Sequence, residues 1–569
     1  INVARSSKWS FVMMAESLDG GAVTYRSNRH FDVLNENIVF PLKSAGNATQ
    51  FKQIFEDRRN AYGQSLVLAN TTSHDEENYS NIHHALLRYF VTNTMDGVPL
   101  VFMGQELGIT RLSGFTFYET NFGKQVAHFK KFNSMQPAWL NRAASPFGEK
   151  FLFDAYAAAG QARRTSPALR SPNRYFLSRQ VGGTKEEIWA VAKYEQANVS
   201  PNFQDVVFAF SNLRTEATGQ SDTFSVNVTQ GSSNLFGIKT GRTYNVRNLG
   251  AHLGPQAEGY PQNRRSGWLW GPGGRSGASV LSTGITVFLN GVPTSDAGWK
   301  GESFTDSGYS VGATGAGNQG FDWQDNDADV LHDPGETSEP FADANSNGRY
   351  DPPVPFEPQY LKLYDVTPPP HAGQPAAPQA YAIGSTATFS WSAANDPDGG
   401  ISGYRLLIGT TPGGSDVLDA NVGNVTAAGV TGTIGQTLYA RVVSVNNAGI
   451  ESPTASSESA PVKLLSPSGD EDGDSMRNDH EDLAGTNPLA QDSSLRMESI
   501  ARAVGGGFTV EWQSVPGKVY RVQRSDDLDA NNWTDISGDR PATEVTSYFT
   551  DTTATSGRKF YRVRLVTGT

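Results

Sequence analysis

The hydrophobic rhythm of the chain changes twice. In the first third, short apolar runs end in polar residues. Trp9-Ser10-Phe11-Val12-Met13-Met14-Ala15 closes on Glu16, Leu66-Val67-Leu68-Ala69-Asn70 leads to Ser73-His74-Asp75, and Val98-Pro99-Leu100-Val101-Phe102-Met103 closes on Gly104-Gln105-Glu106. With an apolar stretch over 31–39, these runs predict strands at 9–15, 31–39, 65–70 and 98–103, while 48–62 and 82–94 carry the spacing of helices. Strands alternating with helices predict parallel β/α units. In a parallel β/α barrel the C-terminal strand ends form the catalytic face, so Glu16 and His74-Asp75 are the first candidates for chemistry.

Helical patterning continues to about Arg170 and then gives way to strands. Ile188–Tyr194, Val206–Phe210, Phe224–Val228 and Ile285–Leu289 are dense in β-branched and aromatic residues. A second change comes at Phe321–Glu357, which holds ten carboxylates and one arginine with almost no apolar periodicity. Such a segment cannot bury a core by itself. Beyond the Pro-rich Thr367-Pro368-Pro369-Pro370, alternating strands resume in two further stretches separated by an acidic loop at 470–482; the last has strands at Phe508–Trp512, Val519–Arg524 and Phe560–Leu565.

The order of these motifs resembles the second half of the catalytic barrel of the α-amylase family, glycoside hydrolase family 13. The resemblance rests on Met14-Ala15-Glu16-Ser17, on Ser73-His74-Asp75, and on Asn93-Thr94-Met95-Asp96-Gly97-Val98-Pro99-Leu100-Val101-Phe102-Met103-Gly104-Gln105-Glu106. It implies a multidomain protein: a partial (β/α)8 TIM barrel (strands five to eight) at 1–170 and a domain C β-sandwich at 171–300. Calcium loops at 321–357, a fibronectin type III-like module at 371–463, a thrombospondin type 3-like calcium loop at 468–490 and a C-terminal β module at 491–569 follow. Trp391, Tyr404 and the run from Tyr439 to Asn446 resemble the fibronectin pattern. By the same resemblance Glu16 is the general acid and base, Asp75 the transition-state stabiliser and His74 a donor to sugar hydroxyls. The apolar approach Val12-Met13-Met14 suits a carboxyl kept protonated by desolvation. The implied activity is retaining hydrolysis of α-1,4-glucans, with a family transglycosylase or other α-glucan specificity as its neighbour.

One departure bears on activity. The family's nucleophile is an aspartate after strand four, and no matching motif occurs in the chain; Asp19 and Asp32 follow the general acid and belong to the wrong strands. The chain also opens Ile1-Asn2-Val3-Ala4 without an initiator Met or a signal peptide. The expectation is a chain that starts downstream of its gene product's own beginning and is inactive alone. Without that context, Glu16 is also readable as a solvated strand end, and His74-Asp75 as a turn.

Three acidic segments follow the spacing of an EF-hand loop, in which alternate oxygen donors curl round a hard cation. Asp325, Asp327, Asp329, Asp333 and Glu336 fill positions 1, 3, 5, 9 and 12; Asp343, Asn345, Asn347 and Asp351 fill the first four of a second; Asp470, Asp472, Asp474, Asn478 and Glu481 fill all five of a third. Two of the loops lack glycine at position 6, the third having Ser475 there. The expected cofactor is calcium, in a structural role, and the competing reading is an acidic spacer.

Composition narrows the partners. A chain of 569 residues exceeds one core and implies several domains. The absence of cysteine excludes disulfides, thiolate catalysis and thiolate metal sites. A net charge of −12 argues against nucleic acid and anionic membranes, and no apolar run reaches the roughly 18 residues of a membrane span. The substrate expected is an α-glucan, and the place a bacterial exterior, secreted or at the cell surface, because such loops suit high calcium. A non-catalytic, calcium-stiffened surface or glycan-binding protein is the rival from another class. Trp268 and Trp270 lie on one side of an extended segment, either to stack on sugar or to pack internally.

Overall fold

The computed structural model describes residues 12–16, 31–36, 38–62, 66–71, 82–101, 105–107, 150–213, 220–250, 268–289, 304–305, 308–309, 359–529 and 531–566. They fall into two compact units, 1–367 and 368–569.

The first unit opens with four parallel strands in sequence order, β1 (Met14–Glu16), β2 (Val33–Asn35), β3 (Leu66–Asn70) and β4 (Val98–Leu100). Helices α1 (Val39–Ser44) and α2 (Ala48–Tyr62) connect β2 to β3, and α3 (Ile82–Thr92) precedes β4. Both expected connecting helices are present. The expected strand 31–39, however, stops at Asn35, because Val39 and Leu42, three apart, share the buried side of α1. Arg88 of α3 fixes that helix end by donating to the Leu42 and Ala45 carbonyls, satisfying acceptors a short helix otherwise leaves open. Helices α4 (Lys150–Thr165) and α5 (Pro167–Arg170) complete the layer. Pro167 forces the break, and Ser166 caps α5 by accepting from the Leu169 N–H at 3.2 Å.

A sandwich packs on these helices. Its main sheet has six strands in the order β12-β11-β16-β7-β6-β5, with ranges β5 Arg174–Phe176, β6 Ile188–Tyr194, β7 Val206–Asn212, β11 Thr243–Asn248, β12 Arg275–Ser276 and β16 Gln359–Asp365. Facing it, β8 (Gln220–Phe224) pairs with β13 (Ile285–Leu289), and β9 (Thr229–Gln230) with β10 (Ser233–Asn234). A short helix α6 (Gly277–Thr283) leads into β13, and β14 (Phe304–Thr305) pairs with β15 (Gly308–Tyr309). Two expectations shift. The strand placed at 224–228 ends at Phe224, and the sandwich expected to close by residue 300 takes an inner strand from 359–365. There Tyr360, Leu361 and Leu363 are buried, and the backbone bonds to both β11 and β7.

Strand β6 is buried on both faces, which explains its unbroken apolar run. Trp189 and Val191 belong to the core shared with the helices, where Phe51, Phe55 and Phe176 surround the indole. Ile188, Ala190 and Ala192 face the second sheet. A charged cluster ties the same layers: Asp96 pairs with Arg59, Arg174 and the fully buried Lys193.

The second unit holds two β modules. In the first, sheet β17-β23-β22-β19-β20 comprises Tyr381–Ile383, Val462–Leu465, Thr437–Val445, Gly403–Gly409 and Leu418–Gly423, and packs on β18 (Thr386–Ser390) with β21 (Ala427–Thr431). Trp391 and Tyr404 meet edge to face at 5.7 Å, and the Tyr404 hydroxyl accepts from the Ala394 N–H at 3.0 Å. An acidic loop and helix α7 (Asn478–Ala484) lead into the second module. That module has one sheet of β24 (Met497–Arg502), β25 (Phe508–Gln513) and β29 (Thr546–Asp551). The other is built on β26 (Val519–Ser525) with β27 (Thr534–Asp535), β28 (Arg540–Pro541) and β30 (Phe560–Leu565). Val510, Trp512, Tyr520 and Val522 fill its centre.

Candidate functional site

Two regions carry candidate chemistry. The first is the C-terminal rim of the parallel sheet. Because β1 to β3 run parallel with Glu16 opposite Asn35, the strand ends Glu16, Asn35 and Asn70 lie along one rim. The Glu16 side chain is exposed, as are Val12 (72 %) and Met14 (55 %). The apolar approach expected to enclose the carboxyl therefore does not do so among the described residues. Asp32 is engaged elsewhere, its Oδ2 accepting from the Met13 N–H at 3.0 Å.

Next along the rim, β3 delivers the buried Asn70 and Thr71. Gln105, just after β4, is also buried and donates from Nε2 to the Thr71 hydroxyl at 2.7 Å and to the Tyr156 hydroxyl at 2.9 Å. Gln105 thus links Thr71, at the end of β3, to Tyr156 of α4. Nothing in the sequence singled out Gln105 for that link. His74 and Asp75 themselves lie outside the described residues, as do Asp325, Asp327, Asp329, Asp333, Glu336, Asp343, Asn345, Asn347 and Asp351.

The second region is the acidic loop before α7. Asp470, Asp472 and Asp474 each bring a carboxylate oxygen within 4.8 Å of the others. Much of their capacity serves the backbone: Asp470 accepts from the Gly473 and Ser475 N–H groups at 2.8 and 2.9 Å, Asp472 Oδ1 from Asp474 N–H at 3.2 Å, and Asp474 Oδ1 from Met476 N–H at 2.7 Å. These Asx turns curl the loop so that the remaining oxygens converge. Ser475 sits at φ 77, in the left-handed region where glycine was expected.

Four oxygens remain buried and unpartnered: Asp472 Oδ2, Asp474 Oδ2, and both Oε1 and Oε2 of Glu481, a fully buried residue of α7. Burial first, then the charges of Asp472, Asp474 and Asp470, push the Glu481 carboxyl up to about 7; the Thr486 side chain opposes this. The cations beside the loop are engaged elsewhere, Lys463 of β23 with Glu471 and Arg477 with Asp479. Asn478 does not join the cluster: its carboxamide accepts from the Glu471 N–H at 3.1 Å and donates to the Ser466 carbonyl at 2.9 Å, bracing the loop from behind. Hard, anionic oxygens from alternate residues plus a bidentate carboxylate are the donor set of a calcium ion, so the residues present fit the group that the spacing implies.

The two tryptophans resolve toward packing. The Arg247 guanidinium lies 3.8 Å from the Trp268 ring centre, Tyr364 meets that ring edge-on at 5.3 Å, and Trp270 packs against the sandwich core beside Arg275. No helix among the described residues is long and apolar enough to cross a membrane.

No family model and no curated protein matches the sequence. Solved structures similar to parts of the chain include a maltogenic α-amylase from Thermotoga neapolitana, with 12 % identity over 44 % of this chain and 51 % of that one and a TM-score of 0.29. A cyclic α-maltosyl-(1→6)-maltose hydrolase from Arthrobacter globiformis has 15 % identity over 38 % and 44 %, with a TM-score of 0.27. A human cardiac titin module has 24 % identity over 17 % of this chain and 91 % of that module, with a TM-score of 0.15. The chain spans about half the length of the two enzymes.

Proposed function

We propose that the first unit belongs to a glycoside hydrolase of the α-amylase type acting on α-1,4-glucans outside the cell. The observation that carries the reading is the run of four parallel strands in sequence order, followed by a sandwich, with Glu16 at the C-terminal end of the first. A barrel assembled from such units gathers its chemistry at that rim.

In this reading Glu16 protonates the glycosidic oxygen as the bond to the anomeric carbon breaks, and later takes a proton from the attacking water. Asp75 holds sugar hydroxyls and stabilises the oxocarbenium-like transition state, and His74 donates to the same sugar. Gln105 acts indirectly, by bracing Thr71 at the end of β3. The retaining route also needs a nucleophilic carboxylate roughly 5 Å from the acid. Residues 1–569 hold no match to the family motif for it, so residues 1–569 alone are expected to leave starch intact.

The test is reducing-end release from soluble starch by the protein as its gene encodes it. Glu16→Gln should lower turnover by about 10²- to 10⁴-fold while oligosaccharide binding persists. Undiminished turnover in that variant removes Glu16 from the mechanism, and failure of the parent to act on any α-glucan returns the unit to a non-catalytic role.

A further inference from the structure

The acidic loop sits where the two β modules of the second unit meet, and each module holds it. From the first, the Tyr381 hydroxyl of β17 donates to Asp482 Oδ1 at 3.2 Å, and Lys463 of β23 pairs with Glu471. From the second, Lys518, just before β26, donates to the Leu483 carbonyl at 2.8 Å. Between these grips, Asp472, Asp474 and Glu481 keep four buried oxygens without partners. We infer that residues 470–481 bind one calcium ion through Asp470, Asp472, Asp474 and Glu481, and that this ion locks the joint between the two modules.

The physical case is a balance of charges. Three aspartate carboxylates bring oxygens within 4.8 Å of one another, the fully buried Glu481 carboxylate feels the charge of all three, and a buried carboxylate is strongly disfavoured unless something neutralises it. A divalent cation supplies that neutralisation, replacing mutual repulsion with attraction to a shared centre. Glu481 is the residue that turns binding into rigidity. It belongs to α7, whereas the aspartates belong to the loop, so an ion held by both fastens the helix to the loop. The residues gripped by Tyr381 and Lys518, Asp482 and Leu483, directly follow Glu481. Without the ion, repulsion within the cluster works against the same contacts. A cleft of about 900 Å³ between residues 473–480 and 491–496 gives solvent access beside the loop.

Because the chain has no cysteine, two introduced ones report the joint cleanly. Val425 of the first module and Val545 of the second are exposed. With the full chain carrying spin labels at Val425→Cys and Val545→Cys, calcium should narrow the distance distribution and chelation should broaden it. Calcium uptake measured on the same chain should fall by one equivalent in Glu481→Gln. Asp472→Asn, which keeps the oxygen that accepts from Asp474 N–H, should weaken that site by roughly tenfold or more. The Asp472→Asn result keeps the inference testable if Glu481→Gln fails to fold. Equal uptake by the parent and a folded variant overturns the site, and a distance distribution indifferent to chelation overturns the lock.

Discussion

Ser475 shows how a misfit in a motif becomes a statement about backbone. At position 6 of its loop the spacing calls for glycine, and the serine there adopts φ 77, a left-handed conformation that costs an L-residue about 1–2 kcal/mol. Ser475→Gly removes that strain but adds about 0.5–1 kcal/mol of chain entropy to be lost on folding, so it should be neutral to slightly stabilising. Ser475→Val, with branching at Cβ, should cost about 1–2 kcal/mol more than glycine. Hydrogen exchange across 470–485 measures both. Asp551 is a residue whose weight the sequence hid among polar neighbours. Burial opposes its ionisation, yet the Thr553 hydroxyl and N–H, Arg524 and the Tyr561 hydroxyl outweigh that and hold the carboxyl at about 2. A depressed carboxyl stabilises the fold above its unfolded value of about 3.9, and the contribution is lost as pH falls from there through 2. Exchange protection of β25 and β29 should therefore collapse over that acidic window. Asp551→Asn should flatten the dependence and cost about 1–3 kcal/mol at neutral pH.

Strands and helices were legible in proportion to how local their causes are. Helix α2 follows its own periodicity, since Phe51, Ile54 and Phe55 make a stripe without outside help. Strand β6 reads as a strand from its composition, but its two burial surfaces depend on layers supplied by residues far along the chain. The run over 31–39 misled because the helical spacing of Val39 and Leu42 extends past its end, and the deciding partner, Arg88, lies on another helix. Strand β16 was hidden by the acidic stretch that separates it from the rest of its sheet. The candidate sites divide in the same way: spacing revealed the aspartates of the third loop, whereas the bracing role of Asn478 depends on the folded path of 466–471. Where two layers share one element, truncation should cost both. Trp189 is buried among Phe51, Phe55 and Phe176 and donates to the Thr94 hydroxyl at 3.3 Å. Trp189→Ala should lower stability by about 3–5 kcal/mol. Exchange should then increase in α2 and in β6 together. Loss confined to β6 would mean the helices hold without the indole.

At the scale of the molecule, the second unit carries everything a folding domain requires. Its first module closes around Trp391, Tyr404, Leu406 and Val442, its second around Val510, Trp512, Tyr520 and Val522, and α7 joins them through bonds from Tyr381 and Lys518. Among the described residues, none before 368 contributes to these cores. Residues 368–569 should therefore fold when expressed alone, with each module unfolding cooperatively in its own transition. The modules differ in the depth of their cores. Thirteen buried apolar residues form the first and five form the second, and stability from apolar burial scales with the area removed from water. The second module should accordingly unfold first on heating, and Trp512→Ala should lower that earlier transition while leaving the later one within about 0.5 kcal/mol of its parent value. Trp391→Ala should do the reverse, costing about 3–5 kcal/mol in the later transition. If either substitution shifts both transitions equally, the modules fold as one, and the helix that joins them is part of a continuous structure rather than a joint.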